Sequence, residues 1–145
     1  MASPLAALRA ATKRRIGGPD CKAISYPVKA STTIYQGALV ALNAGYAVPG
    51  SAAASLTCVG VAQETKVGGA SDGFVKIKVL AGMYNWDVKG GDAPTQANAG
   101  AVVYFEDDHT VRLTSTGSSA AGVLVGIDPD DSTQALVISG QGLNA

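Results

Sequence analysis

The stretch GALVALNAGYAV at residues 37–48 has a counterpart 63 residues further along the chain, GAVVYFEDDHTVRL at residues 100–113. Both begin with Gly-Ala, continue into a short apolar run, break at turn-forming or acidic residues and resume as a second apolar run, which predicts a β-hairpin. Two further correspondences follow in the same order: CVGVAQET at 58–65 with LVGIDPDD at 124–131, and FVKIKVLAG at 74–82 with QALVISG at 134–140. One such unit cannot bury both faces of its sheet, whereas two can close on each other. The sequence therefore predicts an all-β fold whose core is built from two similar β units.

Turn residues separate the β-forming runs at short intervals from Ala23 onward, which favours a compact β-sandwich or small barrel over βαβ units. Pro27 restricts its own strand to a sheet edge or a bulge, because proline cannot donate to the ladder. FVKIKV at residues 74–79 is the clearest strand, and its side chains alternate between two faces. The face predicted to be buried consists of Val75, Ile77 and Val79. The face predicted to be wet or to meet a partner consists of Phe74, Lys76 and Lys78.

The composition indicates a single domain that functions while bound to a partner. A chain of 145 residues can bury a real core without metals or disulfides, and with 47% hydrophobic but only 6% aromatic residues that core must be aliphatic. Charged residues make up 15%, below the roughly 25% of typical soluble domains, and the net charge is zero. We expect no membrane association, because no apolar run of 18 residues occurs, and no signal peptide, because the apolar part at residues 4–8 is too short.

The charge is divided unequally along the chain. Residues 1–19 contain four basic side chains and no acid, whereas the remaining residues contain seven basic and eleven acidic side chains, a balance of −4. Ser3 is suited to cap a helix and Pro4 to begin it, so a short helix is predicted over residues 3–15, with a disordered tail as the alternative. We therefore divide the chain into a basic N-terminal arm, residues 1–22, and a β domain, residues 23–145.

The cysteines and the single histidine give no catalytic pattern. Cys21 and Cys58 form neither a CxxC motif nor a metal-ligand spacing, which favours two buried or idle thiols in a reducing compartment. His109 lies in EDDHT, the predicted hairpin turn after AVVYF, and no Ser or Cys nucleophile motif accompanies it. We therefore expect a solvated turn residue and predict that the chain is not an enzyme. No phosphate-binding loop motif occurs, and no cofactor is expected.

Two acidic clusters could in principle bind Ca²⁺ through carboxylate oxygens. Their members are Glu106, Asp107 and Asp108 in the first cluster and Asp128, Asp130 and Asp131 in the second. Neither cluster has the spacing of an EF-hand loop. We expect these acids to end strands and keep turns hydrated, and we predict no metal site.

Tyr84 and Trp86 share one face of the segment MYNWDV if that segment is extended. Such a pair is suited to anchor a core or a subunit interface, and an exposed pair would instead form a platform for a carbohydrate. The arm has no aromatic residues between its basic ones, which weakens the case for nucleic acid bound by stacking, and we expect no nucleic-acid partner.

The ordered set of motifs between residues 23 and 140 resembles the capsid cement, or head-decoration, proteins of tailed bacteriophages. The phrases that carry the resemblance are YPVKAS, GALVAL, VGVAQET, VLAGMYNWDV, GAVVYFED, VRLTSTG and LVGID. The resemblance implies a structural protein on the exterior of the virion, made in the host cytoplasm during assembly, that binds the major capsid protein and stabilises the shell. It also implies self-association, commonly as a homotrimer.

The arm and the aromatic pair are the expected contacts with the shell or with a sister subunit. An arm that folds on docking can collect many weak contacts at once. The expected contact residues are Leu5, Leu8, Arg9, Lys13, Arg14, Arg15, Tyr84 and Trp86. The alternative function is a carbohydrate- or surface-binding β module on a virion fibre.

Overall fold

The computed structural model describes residues 23–140 and, for the backbone alone, residues 14–16. The described residues are all-β, as predicted, and their only helix is a 3₁₀ turn at Gln96–Asn98, so none of them belongs to a helix that could cross a membrane. The strands are β1 Arg14–Ile16, β2 Ile24–Pro27, β3 Thr33–Ile34, β4 Leu39–Asn43, β5 Tyr46–Pro49, β6 Leu56–Ala62, β7 Lys66–Val67, β8 Lys76–Leu80, β9 Gly82–Val88, β10 Val102–Phe105, β11 Thr110–Arg112, β12 Ala120–Ile127 and β13 Gln134–Ser139.

The first barrel is a five-stranded antiparallel sheet with the order β2-β8-β6-β4-β5. It closes where Val28, just after β2, bridges in parallel to Ala47 of β5. The backbone N–H of Lys29 continues this closure by donating to the carbonyl of Ala47 over 3.1 Å. β2, which contains Pro27, stands at one end of this sheet order and meets β5 only beyond the proline, in agreement with the predicted edge position.

The second barrel repeats this arrangement with the order β9-β13-β12-β10-β11. It closes where β11 pairs in parallel with β9, Thr110 opposite Asp87 and Val111 opposite Val88. The N–H of Lys89 donates to the carbonyl of Val111 over 3.0 Å, in the position that the Lys29 bond occupies in the first barrel. The predicted pair of similar β units is therefore confirmed, and each unit is a closed barrel with the same connectivity.

The backbone hydrogen bonds of the two barrels correspond one to one where the sequence repeat begins. Gly37 donates to the carbonyl of Ala62 over 2.9 Å, and Gly100 donates to that of Leu124 over 2.7 Å. This confirms the first predicted correspondence. The second was wrong by four residues, because Val40 pairs with Gly60 as Val103 pairs with Gly122, so that Gly60 corresponds to Gly122 and not to Gly126.

Gly60 and Gly122 mark the same β-bulge in the two barrels. The pairing shifts register beside each of them, between Val40 and Ala41 in β4 and between Val103 and Tyr104 in β10. Gly60 has φ +132°, and a Cβ added there would lie 2.6 Å from the carbonyl oxygen of Leu80. An added Cβ at Gly122 would meet the carbonyl oxygen of Ile138 in the same way. Glycine therefore lets the neighbouring strand approach at the point where each barrel bends.

The faces of β8 are those predicted. Ile77 and Val79 are fully buried, and Val75 is half-buried against the same cluster inside the first barrel. On the opposite face, Lys76 and Lys78 are exposed, and Phe74 just before the strand is 80% exposed.

The two barrels pack through the outer face of β4 and β6. The side chains of Leu39, Ala41, Cys58 and Val61 belong to the same buried cluster as the interior of the second barrel. Hydrogen bonds also cross this interface: Leu39 N–H donates to the carbonyl of Asp108 over 2.8 Å, and the Ser119 hydroxyl donates to the carbonyl of Ala53 over 2.8 Å. Burial raises the pKa of the Cys58 thiol to about 12, in agreement with the predicted idle thiol, whereas Cys21 lies outside the described residues.

The arm contributes a strand to the second barrel. β1 runs antiparallel to β9, with Arg14 opposite Tyr84 and Ile16 opposite Met83. Because β13 occupies the other edge of β9 and β11 reaches only Asp87 and Val88, β1 satisfies backbone groups that would otherwise stand open. The predicted helix over residues 3–15 is therefore wrong at Arg14 and Arg15, and the rest of it lies outside the described residues.

Candidate functional site

The polar side chains of the second barrel concentrate around the turn between β10 and β11. This turn was expected to be hydrated, yet Glu106, Asp107 and Asp108 are each less than 10% exposed. The turn lies against the first barrel, where Leu39 N–H donates to the carbonyl of Asp108 over 2.8 Å. It is also held from within, because Glu106 N–H donates to the carbonyl of Thr110 over 3.0 Å and His109 N–H donates to Asp107 Oδ1 over 2.8 Å. Asp128, in the second acidic cluster, is buried as well, because it binds the Asn85 amide.

Glu106 is the centre of a compact ion-pair cluster. Arg112 Nη1 donates to Glu106 Oε1 over 2.9 Å, and Lys89 Nζ lies 3.2 Å from the same oxygen. Burial opposes ionisation of Glu106, but the hydrogen bonds and charges of Lys89 and Arg112 outweigh it and hold the pKa of this carboxyl below its ordinary value. Arg112 also donates from Nε and Nη2 to the carbonyls of Thr114 and Thr116 over 3.0 and 2.6 Å. The cluster therefore ties the segment after β11 to the hairpin.

A cleft of about 390 Å³ opens beside this cluster. It is lined by Lys89, Gly90, Gly91, Asp92, Arg112, Thr114 and Thr116. Both cations of the lining already pair with Glu106, and Asp92 Oδ2 accepts the N–H of Thr114 over 3.0 Å. Hydrogen bonding by the Thr114 side chain is the largest influence that lowers the pKa of Asp92. The cleft is thus neutral, hydrogen-bonded and without an aromatic side chain in its lining.

His109 contacts side chains of its own turn and of the neighbouring strand β9. Its Nδ1 lies 3.3 Å from Asp87 Oδ2 and 3.2 Å from Thr110 Oγ1, whereas Nε2 lies 3.5 Å from Asp107 Oδ1. These contacts position the turn between β10 and β11 against β9.

The network around His109 continues across the end of the second barrel. Asp87 Oδ1 accepts a hydrogen bond from Gln134 Nε2 over 3.1 Å, and Gln134 Oε1 accepts one from Asn85 Nδ2 over 3.2 Å. Asn85 also donates to Asp128. These contacts join β9 to β13 and to both acidic turns.

One group of potential metal ligands occurs among the described residues. Asp107, Asp108 and His109 each offer a ligand atom, and these atoms lie within 4.8 Å of one another. Two carboxylates and an imidazole could together hold a divalent cation. Asp107 Oδ1, however, already accepts the backbone N–H of His109, and this hydrogen bond helps to fix the shape of the turn.

The aromatic pair predicted as a contact site is part of the core. Tyr84 and Trp86 do share one face of β9, with ring centroids 6.1 Å apart, but they are 2% and 0% exposed. The Tyr84 hydroxyl donates to the carbonyl of Leu80 over 2.9 Å. Neither ring therefore offers a surface to a partner or a glycan, because both fill the second barrel.

The remaining predicted contact residues belong to the arm. The structure places the backbone of Arg14 and Arg15 beside β9, and Leu5, Leu8, Arg9 and Lys13 lie outside the described residues. The ion-pair cluster of Glu106, Arg112 and Lys89 was missed by the sequence analysis. The only signal for it in the sequence is the alternation of charges across a predicted hairpin, VVYFEDDHTVR. Comparison of the chain with protein-family models, with curated proteins and with solved structures found no match.

Proposed function

We propose that this chain is a structural virion protein that binds the outer surface of a phage capsid and stabilises the shell. The observation that carries the proposal is how the polar groups of the second barrel are used. Glu106, Arg112, Lys89 and His109, the groups best suited to chemistry, bind one another and the backbone of adjoining turns. They stiffen a closed double barrel, and a rigid body that acts through its surface is what a cement protein requires.

Two further observations support the proposal. Each motif that carries the resemblance to decoration proteins forms a strand or adjoining turn of the two barrels, so the ordered set corresponds to one architecture. The basic arm also adds a strand to the body at β1, which gives it a fixed point of attachment. The proposed partners are the major capsid protein and further copies of this chain, as a homotrimer on the exterior of the virion.

The test is binding of the full chain to expanded, DNA-free capsids assembled from the major capsid protein encoded in the same genome. We expect the chain to sediment with expanded capsids, to saturate at a fixed ratio to capsid subunits, and to raise the temperature at which the capsids disrupt. Unexpanded procapsids are the matched control. Absence of the chain from the capsid fraction at micromolar concentration would refute the proposal.

The carbohydrate-binding alternative is less well supported. Its expected platform, Tyr84 and Trp86, is buried, and the cleft beside Arg112 has no aromatic lining. The non-enzyme part of the proposal has its own test in His109→Ala. Loss of a hydrolytic or transferase activity in that variant, with the fold intact, would contradict it.

A further inference from the structure

An exposed aromatic ring and a row of lysines mark the outer face of β8. Phe74 is 80% exposed and lies against the backbone of Gly69. The pairing of β8 with β2 extends back toward it, because Val28 N–H donates to the carbonyl of Val75 over 2.8 Å. Lys76 and Lys78, two residues apart in β8 and about 7 Å from each other, are exposed on one side of the sheet just beyond Phe74. We call Phe74, Lys76, Lys78 and the neighbouring Lys66 the Phe74 face.

The charge of the Phe74 face is only partly compensated. Glu64 Oε2 accepts the backbone N–H of Lys78 over 3.0 Å and lies near Lys66, with Lys66 Nζ 4.0 Å from Glu64 Oε1. Within residues 23–140, Lys76 and Lys78 form no ion pair. The face therefore presents three lysines, one glutamate and an exposed phenyl ring.

The duplication shows that the fold itself does not require these residues. Leu80 and Ile138 hold equivalent positions, since each pairs with the valine that follows the bulge glycine of its barrel, Val61 or Val123. Counting back along β8 and β13 places Ser132 at the position of Phe74 and Gln134 at that of Lys76. The second barrel therefore folds with Ser132 and Gln134 at the positions where the first barrel has Phe74 and Lys76. A ring in water contributes little to folding, and covering it on docking is favourable.

The division of charge points to an acidic partner. Residues 23–81 contain four basic and two acidic side chains, a balance of +2, and residues 82–140 contain two basic and eight acidic ones, a balance of −6. A single-stranded nucleic acid needs more than one stacking platform, and the Phe74 face has a single aromatic ring. A second copy of this chain, whose residues 82–140 carry a balance of −6, is the competing occupant, and sedimentation of the free chain distinguishes it.

We propose that the Phe74 face is the docking surface of this chain for an acidic protein surface with an apolar recess for the ring. This inference rests on the proposed function, under which that surface belongs to the capsid shell. Phe74 is the anchor, and the lysines supply electrostatic complementarity around it.

The test compares full-length variants for binding to the expanded capsids described above. Phe74→Ser with Lys76→Gln copies the residues of the second barrel, so it should fold normally and bind about tenfold or more weakly. Lys76→Glu with Lys78→Glu should also weaken binding, whereas Lys76→Arg with Lys78→Arg should keep it. Val125→Ser removes an exposed apolar side chain from the second barrel, where Val125 is 41% exposed, and is the matched control. Circular dichroism melting verifies folding of each variant.

The outcomes separate the two proposals. Normal binding by wild type and by the Phe74→Ser, Lys76→Gln variant would overturn the docking surface and leave the proposed function standing. Failure of the wild type to bind would refute the function, and the docking surface on the shell would fail with it. If these variants instead altered the sedimentation coefficient of the free chain, the face would join copies of this chain, which contradicts the inference. If they lost binding to single-stranded DNA and kept binding to capsids, the partner would be nucleic acid, which also contradicts it.

Discussion

Trp86 on β9 lies directly opposite Ala135 on β13, and the equivalent positions of the first barrel pair Tyr26 with Ile77. Trp86 is completely buried against a small residue, whereas Tyr26 is half-buried against a larger one, so the close-packed second barrel has no room for more volume at this pair. Ala135→Ile should therefore overpack the second barrel and lower the free energy of unfolding by about 1–3 kcal/mol. Trp86→Tyr alone should also destabilise it, by leaving space.

The double variant, Trp86→Tyr with Ala135→Ile, copies the pair of the first barrel. We expect it to cost less than the sum of the two single changes, with a coupling of about 0.5–3 kcal/mol. Urea unfolding monitored by circular dichroism measures all three variants without relying on the tryptophan. If the two single changes in the free energy of unfolding simply added up in the double variant, the side chains of Trp86 and Ala135 would not be packed against each other.

Ile77 tests the burial of β8. Truncation to alanine should lower the free energy of unfolding by about 2–5 kcal/mol, because the side chain is completely buried in the first barrel. Lys76→Ala, on the exposed face of the same strand, is the control and should change it by less than about 0.5 kcal/mol. Equal effects at the two positions would mean that the faces of the strand are reversed.

The bulge glycines should tolerate no side chain. Gly60→Ala and Gly122→Ala would each press a methyl group against a neighbouring strand, so we expect losses of at least about 1–3 kcal/mol in either barrel. Gly90→Ala is the control, since nothing lies within 4 Å of an added Cβ there. A mild effect at Gly60 together with a severe one at Gly122 would mean that the two bulges are not equivalent in the folded protein.

Glu106 makes the stability of the second barrel sensitive to acid. Its pKa is below the ordinary value of 4.5 in the folded chain, so it contributes stability that is present above about pH 4.5 and is lost as the pH falls through the folded pKa. Glu106→Gln should therefore flatten the dependence of stability on pH below about 4.5. Lys89→Gln should flatten it in part, because Arg112 remains. Denaturant unfolding between pH 3 and 6 measures these slopes, and unchanged slopes would contradict the assignment.

Deletion of residues 1–22 separates assembly from folding. The truncated chain should keep its circular dichroism spectrum and a nearly unchanged melting temperature, because both barrels close without β1. Its binding to expanded capsids should fall strongly, and binding by the intact chain should weaken with salt, since exposed charges are screened beyond about 8 Å at physiological ionic strength. If the truncated chain bound capsids as tightly as the full chain, the arm would have no role in assembly. If the truncated chain failed to fold, β1 would be part of the core.

The β-strands and the duplication could be predicted because both depend on residues that are close together in the sequence. The strands show as alternating apolar runs, and the duplication shows as two stretches that begin with Gly-Ala. The alignment of residues 58–65 with β12 could not be predicted, because both Gly122 and Gly126 in β12 have Val or Ala beside them. Only the pairing of the strands shows that Gly122 is the equivalent of Gly60. The buried acids were missed for a similar reason. Glu106 is shielded by Lys89, which lies 17 residues away along the chain and reaches the hairpin through the parallel closure of β9 and β11.

Ala81 alone connects the last strand of the first barrel to the first strand of the second. It is enclosed on two sides, since a Cβ added to Gly60 or Gly140 would run into it. Bending between two bodies needs a few backbone torsions that can rotate freely, and this connection has none to spare. A force applied to one barrel is therefore passed to the other through one enclosed residue and the buried interface, and no flexible linker absorbs it.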